Sequence, residues 1–334
     1  MALVQAEEVA VRVDAVERPI ERQYRGVVSD NLRWERFVFR PGDVVVCTPA
    51  KCGTTWMQTI IAELMFPTRA PGPVFDIAPW LDARFEPVDA VMQRLEAQTH
   101  RRSIKTHTAA DGIPWCPLAS YVVVGRDGRD ATMSFLNHMR NLRPELFPDL
   151  IASAVEEGID LGAGGPPPPV DDIHAFFSWC VDDNPQWFEH IASFWPHRDE
   201  PNVLFVHYND MQTDLDRQMR RVAAFLEIDV DEQQWPNQVE RCTFAAMKQR
   251  SAEIADFDAL FVGGADTFLY KATNGRWHDV LTADEVDRFE LRARQLLPPD
   301  AIGWATAGEA ALPALDDGSA HLPDSPSGSH PPGT

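Results

Sequence analysis

The most chemically suggestive stretch of the chain is Thr48-Pro49-Ala50-Lys51-Cys52-Gly53-Thr54-Thr55-Trp56, set between the apolar run 43–47 and an amphipathic run that Pro67 ends. A loop that opens a helix presents unpaired N–H groups at the positive end of the helix dipole, which together make an anion site. Gly53 permits close backbone approach, Thr54 and Thr55 bring hydroxyl donors, and Lys51 brings a point charge. The stretch therefore reads as a phosphate cradle. It is not of the G-x-x-x-x-G-K-[ST] type, because Lys51 precedes the one nearby glycine. Two local alternatives stand beside this reading: Thr54 or Thr55 as a plain helix cap with Lys51 solvated, or Cys52 as a reactive thiol at a helix start. A cysteine phosphatase would carry Arg six residues after its nucleophile, but those positions hold Gln58 and Gly53. A second pair, Lys105 and His107, is spaced by two and so shares one side of an extended segment. An imidazole with a pKa near ~6.5 suits removal of a proton from a hydroxyl near neutral pH.

These groups need a scaffold, and the pattern supplies one. Apolar runs at 43–47, 121–124 and 203–206 read as buried strands. After the first, Trp56, Ile60, Ile61, Leu64 and Met65 fall on one helical face, and helices are expected over 129–142 and 211–226 after the others. Such repetition predicts an α/β fold, one domain with a central parallel sheet flanked by helices. The chain has 334 residues, 44% apolar and 24% charged, which excludes collagen-like or wholly disordered chains. Its 30 Lys and Arg against 51 Asp and Glu give a net charge of −21, which opposes loose binding to nucleic acid or an anionic membrane surface. An anionic ligand must then be held by a local basic site. No apolar run reaches the ~18 residues of a membrane span, and a start bearing Glu7 and Glu8 is unlike a signal peptide, so a cytoplasmic location is expected. Five scattered cysteines without a C-x-x-C pair predict reduced thiols and no metal. The expected organisation is an N-terminal extension over 1–20, a domain over 21–312 and a disordered tail over 313–334. Within the domain, 143–175 is expected to be a flexible loop region around the Pro/Gly run 162–169.

Five motifs in order give the chain a family likeness. TPAKCGTTW resembles the 5′-phosphosulfate loop Y-P-K-S-G-T-T-W of the cytosolic sulfotransferases, and IKTHT is similar to their K-T-H segment. YVVVGRDGRDATMSFLNHMR resembles their 3′-phosphate segment, with Arg126 and Ser134 eight apart. CTFAAMK resembles S-F-x-x-M-K, and LYKATNGRW resembles R-K-G-x-x-G-D-W.

The resemblance implies a sulfotransferase fold related to the phosphate-loop nucleotide hydrolases, with 3′-phosphoadenosine 5′-phosphosulfate (PAPS) as cosubstrate and adenosine 3′,5′-bisphosphate (PAP) as product. It also implies in-line sulfuryl transfer without a metal. Under it, His107 is the general base, and Lys51 and Lys105 stabilise charge. Lys51, Cys52, Gly53, Thr54 and Thr55 surround the 5′-phosphate, while Arg126 and Ser134 hold the 3′-phosphate. Trp56 and Phe244 stack on adenine, with Tyr208 and Thr243 nearby, and Lys271, Thr273, Asn274 and Gly275 close the site. Tyr270 and Ala272 stand where the family motif has Arg and Gly, which leaves Lys271 as the nearest cation. The dimer stretch K-x-x-x-T-V-x-x-x-E is reduced to His278, Thr282, Ala283 and Asp287, so no dimer is inferred, and Thr282 with Glu285 reads equally as a capping box. The acceptor is expected to offer a hydroxyl or an amine on a small, apolar molecule, met by loops over 66–100 and 143–175 that contain Trp80, Phe85 and Phe147. The competing readings are a metal-dependent nucleotide kinase and a non-catalytic nucleotide-binding relative.

Overall fold

The computed structural model describes residues 16–68, 70–161 and 168–311. Four short strands, β1 (Val44–Cys47), β2 (Ser103–Thr106), β3 (Ser120–Gly125) and β4 (Val203–His207), form one parallel sheet in the order β2-β1-β3-β4. All four β1 residues are buried, and alternate side chains feed two cores. Val45, Cys47, Tyr121 and Val123 face one core with Trp34 and Trp115, while Val44, Val46, Val122 and Val124 face the other with Met57, Ile60 and Ile61. A parallel sheet buried on both faces must be covered on both, and the crossover helices do this.

In chain order the helices of eight or more residues are α1 (Thr54–Met65), α2 (Val88–Ala97), α3 (Gly128–Asn141), α4 (Phe147–Glu156), α5 (Ile173–Asp182) and α6 (Gln186–Phe194). They continue after β4 with α7 (Leu215–Phe225), α8 (Ala283–Leu296) and α9 (Pro299–Ala307). β1 has β2 on one side and β3 on the other, so the chain leaves neighbouring strand ends in opposite directions and opens a crevice beyond their carboxyl ends. The register pairs Cys47 with both Thr106 and Val123, which sets the residues following β1, β2 and β3 along one rim.

Three expectations are corrected. The helix expected over 211–226 is two pieces, Tyr208–Thr213 and α7, because the Asp214 carboxylate caps α7 by accepting from the Arg217 N–H at 3.0 Å. The loop expected over 143–175 contains α4 and the start of α5: Leu150 and Ala154, one turn apart, bury a common face, and Pro148 sits in the first turn where a missing donor costs nothing. The run 162–167, the tail over 313–334 and the first 15 residues lie outside the described residues. The extension does not last to residue 20, since the N–H of Glu17 donates to Trp115 O at 2.8 Å and the Arg18 guanidinium lies 4.6 Å over the Trp115 ring. Thr282 and Glu285 do form a capping box at the start of α8. No helix among the described residues is long and apolar enough to cross a membrane.

Candidate active site

The turn from β1 into α1 is bent by two left-handed residues, Lys51 with φ 67° and Gly53 with φ 102°. A Cβ on Gly53 would come within 2.9 Å of Tyr208 Cδ2, so only glycine fits this close approach. Gly53 caps α1 without a side chain, which leaves the N–H groups of the first turn, Thr54 and Thr55 included, without intrahelical acceptors. Cys52 is buried and its thiol is pushed up to about 12 by burial, which makes it inert rather than nucleophilic.

From this turn a hydrogen-bond chain runs to His107. Thr54 Oγ1 and Thr48 Oγ1 lie 2.5 Å apart, and His107 Nδ1 lies 3.2 Å from Thr48 Oγ1 and 2.8 Å from Thr48 O. A carbonyl can only accept, so Nδ1 carries the proton and Nε2 of the neutral ring is left as an acceptor. Burial, with the charge of Lys105 next, holds the imidazole well below its usual range, so it is neutral. Trp80 packs edge-on to His107 with centroids 4.7 Å apart, and Lys105 Nζ lies 4.1 Å from the Trp80 ring. The segment 79–82 runs beside β2, with Lys105 N donating to Pro79 O at 2.9 Å and Leu81 N to Lys105 O at 3.3 Å. It also delivers Asp82, fully buried, whose Oδ2 accepts from the hydroxyls of Thr106 (2.5 Å) and Thr108 (2.6 Å) on either side of His107.

Lys51 Nζ lies 3.5 Å from His138 Nδ1 and 4.4 Å over the Phe268 ring. Burial, and the neighbouring charges of Lys105 and Arg126, bring Lys51 down to about 7, and burial brings Lys105 to about 8. Lys51, Lys105 and Arg126 make no ion pair within 4 Å among the described residues. Arg126 instead uses neutral acceptors, Lys51 O (3.2 Å), Thr273 O (3.2 Å) and Asn274 Oδ1 (2.9 Å), and its guanidinium lies 4.2 Å over Tyr208. It thus ties the β1 turn to the segment after Leu269. Cations in no ion pair among the described residues, set around a backbone cradle, fit an anionic ligand.

The remaining candidates are distributed around this centre. Trp56 is half-buried, donates its indole N–H to Cys242 O at 2.7 Å and meets Tyr208 edge-on at 5.3 Å. Thr243 caps a short helix that begins with half-buried Phe244. Ser134 is half-buried in the second turn of α3. Lys271 is exposed, its Nζ 4.9 Å over the Tyr270 ring. One expected backbone donor is already used: the Gly275 N–H donates to Asp130 Oδ2 at 2.9 Å. His138 is the group that motif reading missed; it lies four residues beyond Ser134 on the same face of α3, a spacing that flags it in hindsight. Asp82 left no signal beyond an acidic residue in an apolar stretch.

Residues 41–298 match the family described as the sulfotransferase domain. The chain is 33% identical over 312 residues to a glycolipid sulfotransferase of Mycobacterium bovis, covering 85% of this chain and 94% of that protein. It is 24% identical over 302 residues to sulfotransferase 1B1 of Mus musculus, covering 85% and 93%. Among solved structures, mouse sulfotransferase SULT7A1 complexed with PAP is similar with a TM-score of 0.60 at 19% identity, covering 81% of this chain and 91% of that one. Retinol dehydratase in complex with androsterone and PAP is similar with a TM-score of 0.58 at 21% identity, covering 81% and 87%.

Proposed function

The chain belongs to the sulfotransferase domain family and is a PAPS-dependent sulfotransferase, and from that premise we propose that it transfers the sulfuryl group to a hydroxyl of an apolar-bodied acceptor, with His107 as general base. The observation that carries this reading is the Nδ1–H of His107 directed to Thr48 O at 2.8 Å, which reserves Nε2 for the proton of the attacking hydroxyl. When bound, the donor supplies a sulfuryl group activated by its anhydride to phosphate. The first turn of α1 and the hydroxyls of Thr54 and Thr55 hold the 5′-phosphate, and Lys51 and Lys105 provide fixed positive charge for the oxygen that gains charge as the bond to sulfur breaks. The anion in turn favours a protonated His107 after proton transfer, offsetting the burial that depresses it.

Trp80 on His107, with Phe75 and Phe268 near the two lysines, gives the acceptor side an aromatic wall. Such a wall suits the apolar body of an alcohol or a lipid-linked sugar, in keeping with the glycolipid named for the mycobacterial relative. The test is His107→Ala assayed with PAPS and a panel of phenols, sterols, glycolipids and sugars, scored by the mass gained. Turnover is expected to fall at least a hundredfold, within the roughly 10²–10⁴ range of general-base catalysis, with PAP affinity retained. Undiminished turnover in that variant would remove His107 from the role.

A further inference from the structure

We infer that Arg276 is the second guanidinium that grips the donor's 3′-phosphate, supplying from a new position the cation that Tyr270 cannot. The argument begins with the motif: Tyr270 occupies the position of the motif's first cation, and Lys271 is exposed with its ammonium against the Tyr270 ring. Arg276, by contrast, stands where the motif has an acid. It follows Asn274, the residue that Arg126 holds at 2.9 Å, by two positions, and its own N–H is fixed by Asp130 Oδ1 at 3.3 Å. The left-handed residues Ala272 (φ 48°) and Gly275 (φ 77°) fold this segment back toward α3.

The guanidinium of Arg276 is half-buried and has no hydrogen bond or ion pair among the described residues, only a distant face contact with Tyr270 at 5.7 Å. Asp130, the acid that acts on it, spends its carboxylate on the Gly275 and Arg276 N–H groups. Burial, and next the like charge of Arg126, disfavour its cationic form, with Asp130, Tyr270 and Tyr208 the other groups that face it. Two guanidiniums served by one segment, Arg126 held to Asn274 and Arg276 two residues beyond it, neither in an ion pair among the described residues, offer in a chain of net charge −21 the positive charge that a phosphate dianion meets by bidentate contacts.

This inference rests on the reading that the Arg126 corner receives the 3′-phosphate, and the experiment separates the two. Calorimetric binding of PAP and of adenosine 5′-phosphate is measured for the full chain and for Arg276→Gln and Arg276→Lys. PAP affinity is expected to fall roughly tenfold or more in the Gln variant, with adenosine 5′-phosphate within about twofold of the parent, and the Lys variant is expected to recover part of the loss. Equal weakening of both nucleotides, or an unchanged preference for PAP in Arg276→Gln, overturns the inference alone. A parent chain that binds PAP no more tightly than adenosine 5′-phosphate overturns the donor reading as well. Arg276→Met, which keeps the apolar stem, gives the same comparison if the Gln variant does not fold.

Discussion

Lys51 and Lys105 are half-buried cations, with Lys105 a charged neighbour of Lys51, and their proton affinities follow from that placement. Each is held below the usual lysine range, to about 7 and about 8, first by desolvation and, for Lys51, next by like charge. The sign for activity is direct: a lysine that loses its proton loses the charge that binds and polarises the donor. The value of kcat/KM for PAPS is therefore expected to fall as pH rises through about 7 to 8, while kcat, read in the complex with an anion present, keeps its protonated lysines to higher pH. His107 lies well below its ordinary value and acts neutral, so its acid limb falls below that of an exposed histidine. A kcat/KM profile that is flat between pH 6 and 9 would sink this assignment of the lysines.

Elements decide where these side chains stand. β2 brings Lys105 to the rim, but the segment 79–82 decides how its end is held: Asp82 takes a hydroxyl from each residue flanking His107 and also the Trp34 indole N–H at 3.2 Å. A fully buried carboxylate with three donors is a charge-assisted knot. Asp82→Asn replaces an acceptor-only group by one that must also place two donors, so it is expected to lower stability by about 1–3 kcal/mol. It is also expected to lower kcat more than it raises the KM for PAPS. Thermal denaturation and steady-state kinetics check both; a variant of parental stability and turnover would show the knot to be dispensable. The β1 turn works differently, because Gly53 must yield to the Tyr208 ring and Lys51 must sit at positive φ, so that turn is shaped by what packs on it from beyond β4.

At the scale of the molecule, one basic crevice lies in a strongly acidic chain. Lys105 and Arg126 act on Lys51 as like charges at the carboxyl end of the sheet, and Arg126 acts so on Arg276; none of the four is in an ion pair among the described residues, so the ligand-free protein carries an electrostatic penalty that an anion relieves. PAP at a hundred times its Kd stabilises by about 2.7 kcal/mol if it binds only the folded chain. With roughly 2–4 °C per kcal/mol for large domains, Tm is expected to rise by about 5 °C or more. The rise should shrink with added salt. Scanning calorimetry at two ionic strengths checks this; a salt-independent shift would point to binding without the charge cluster.

By itself the sequence determined three of the four strands, the strand–turn–helix around Lys51 and the family, because each is a local pattern of period or motif, whereas β2 shows in it only as an extended segment at Lys105 and His107. Local chemistry also sufficed for the Thr282–Glu285 cap. Only the tertiary structure decided that 147–156 is a helix: Leu150 and Ala154 are buried in the folded chain, and Arg84, far off in sequence, donates to Ser153 Oγ at 2.9 Å. The tautomer of His107, the approach of His138 to Lys51 and the clamp of Asp82 are likewise contacts between segments 24 to 87 residues apart. Such contacts leave no periodic trace in the chain, because packing and desolvation act on proximity in space, which spacing along the sequence does not encode.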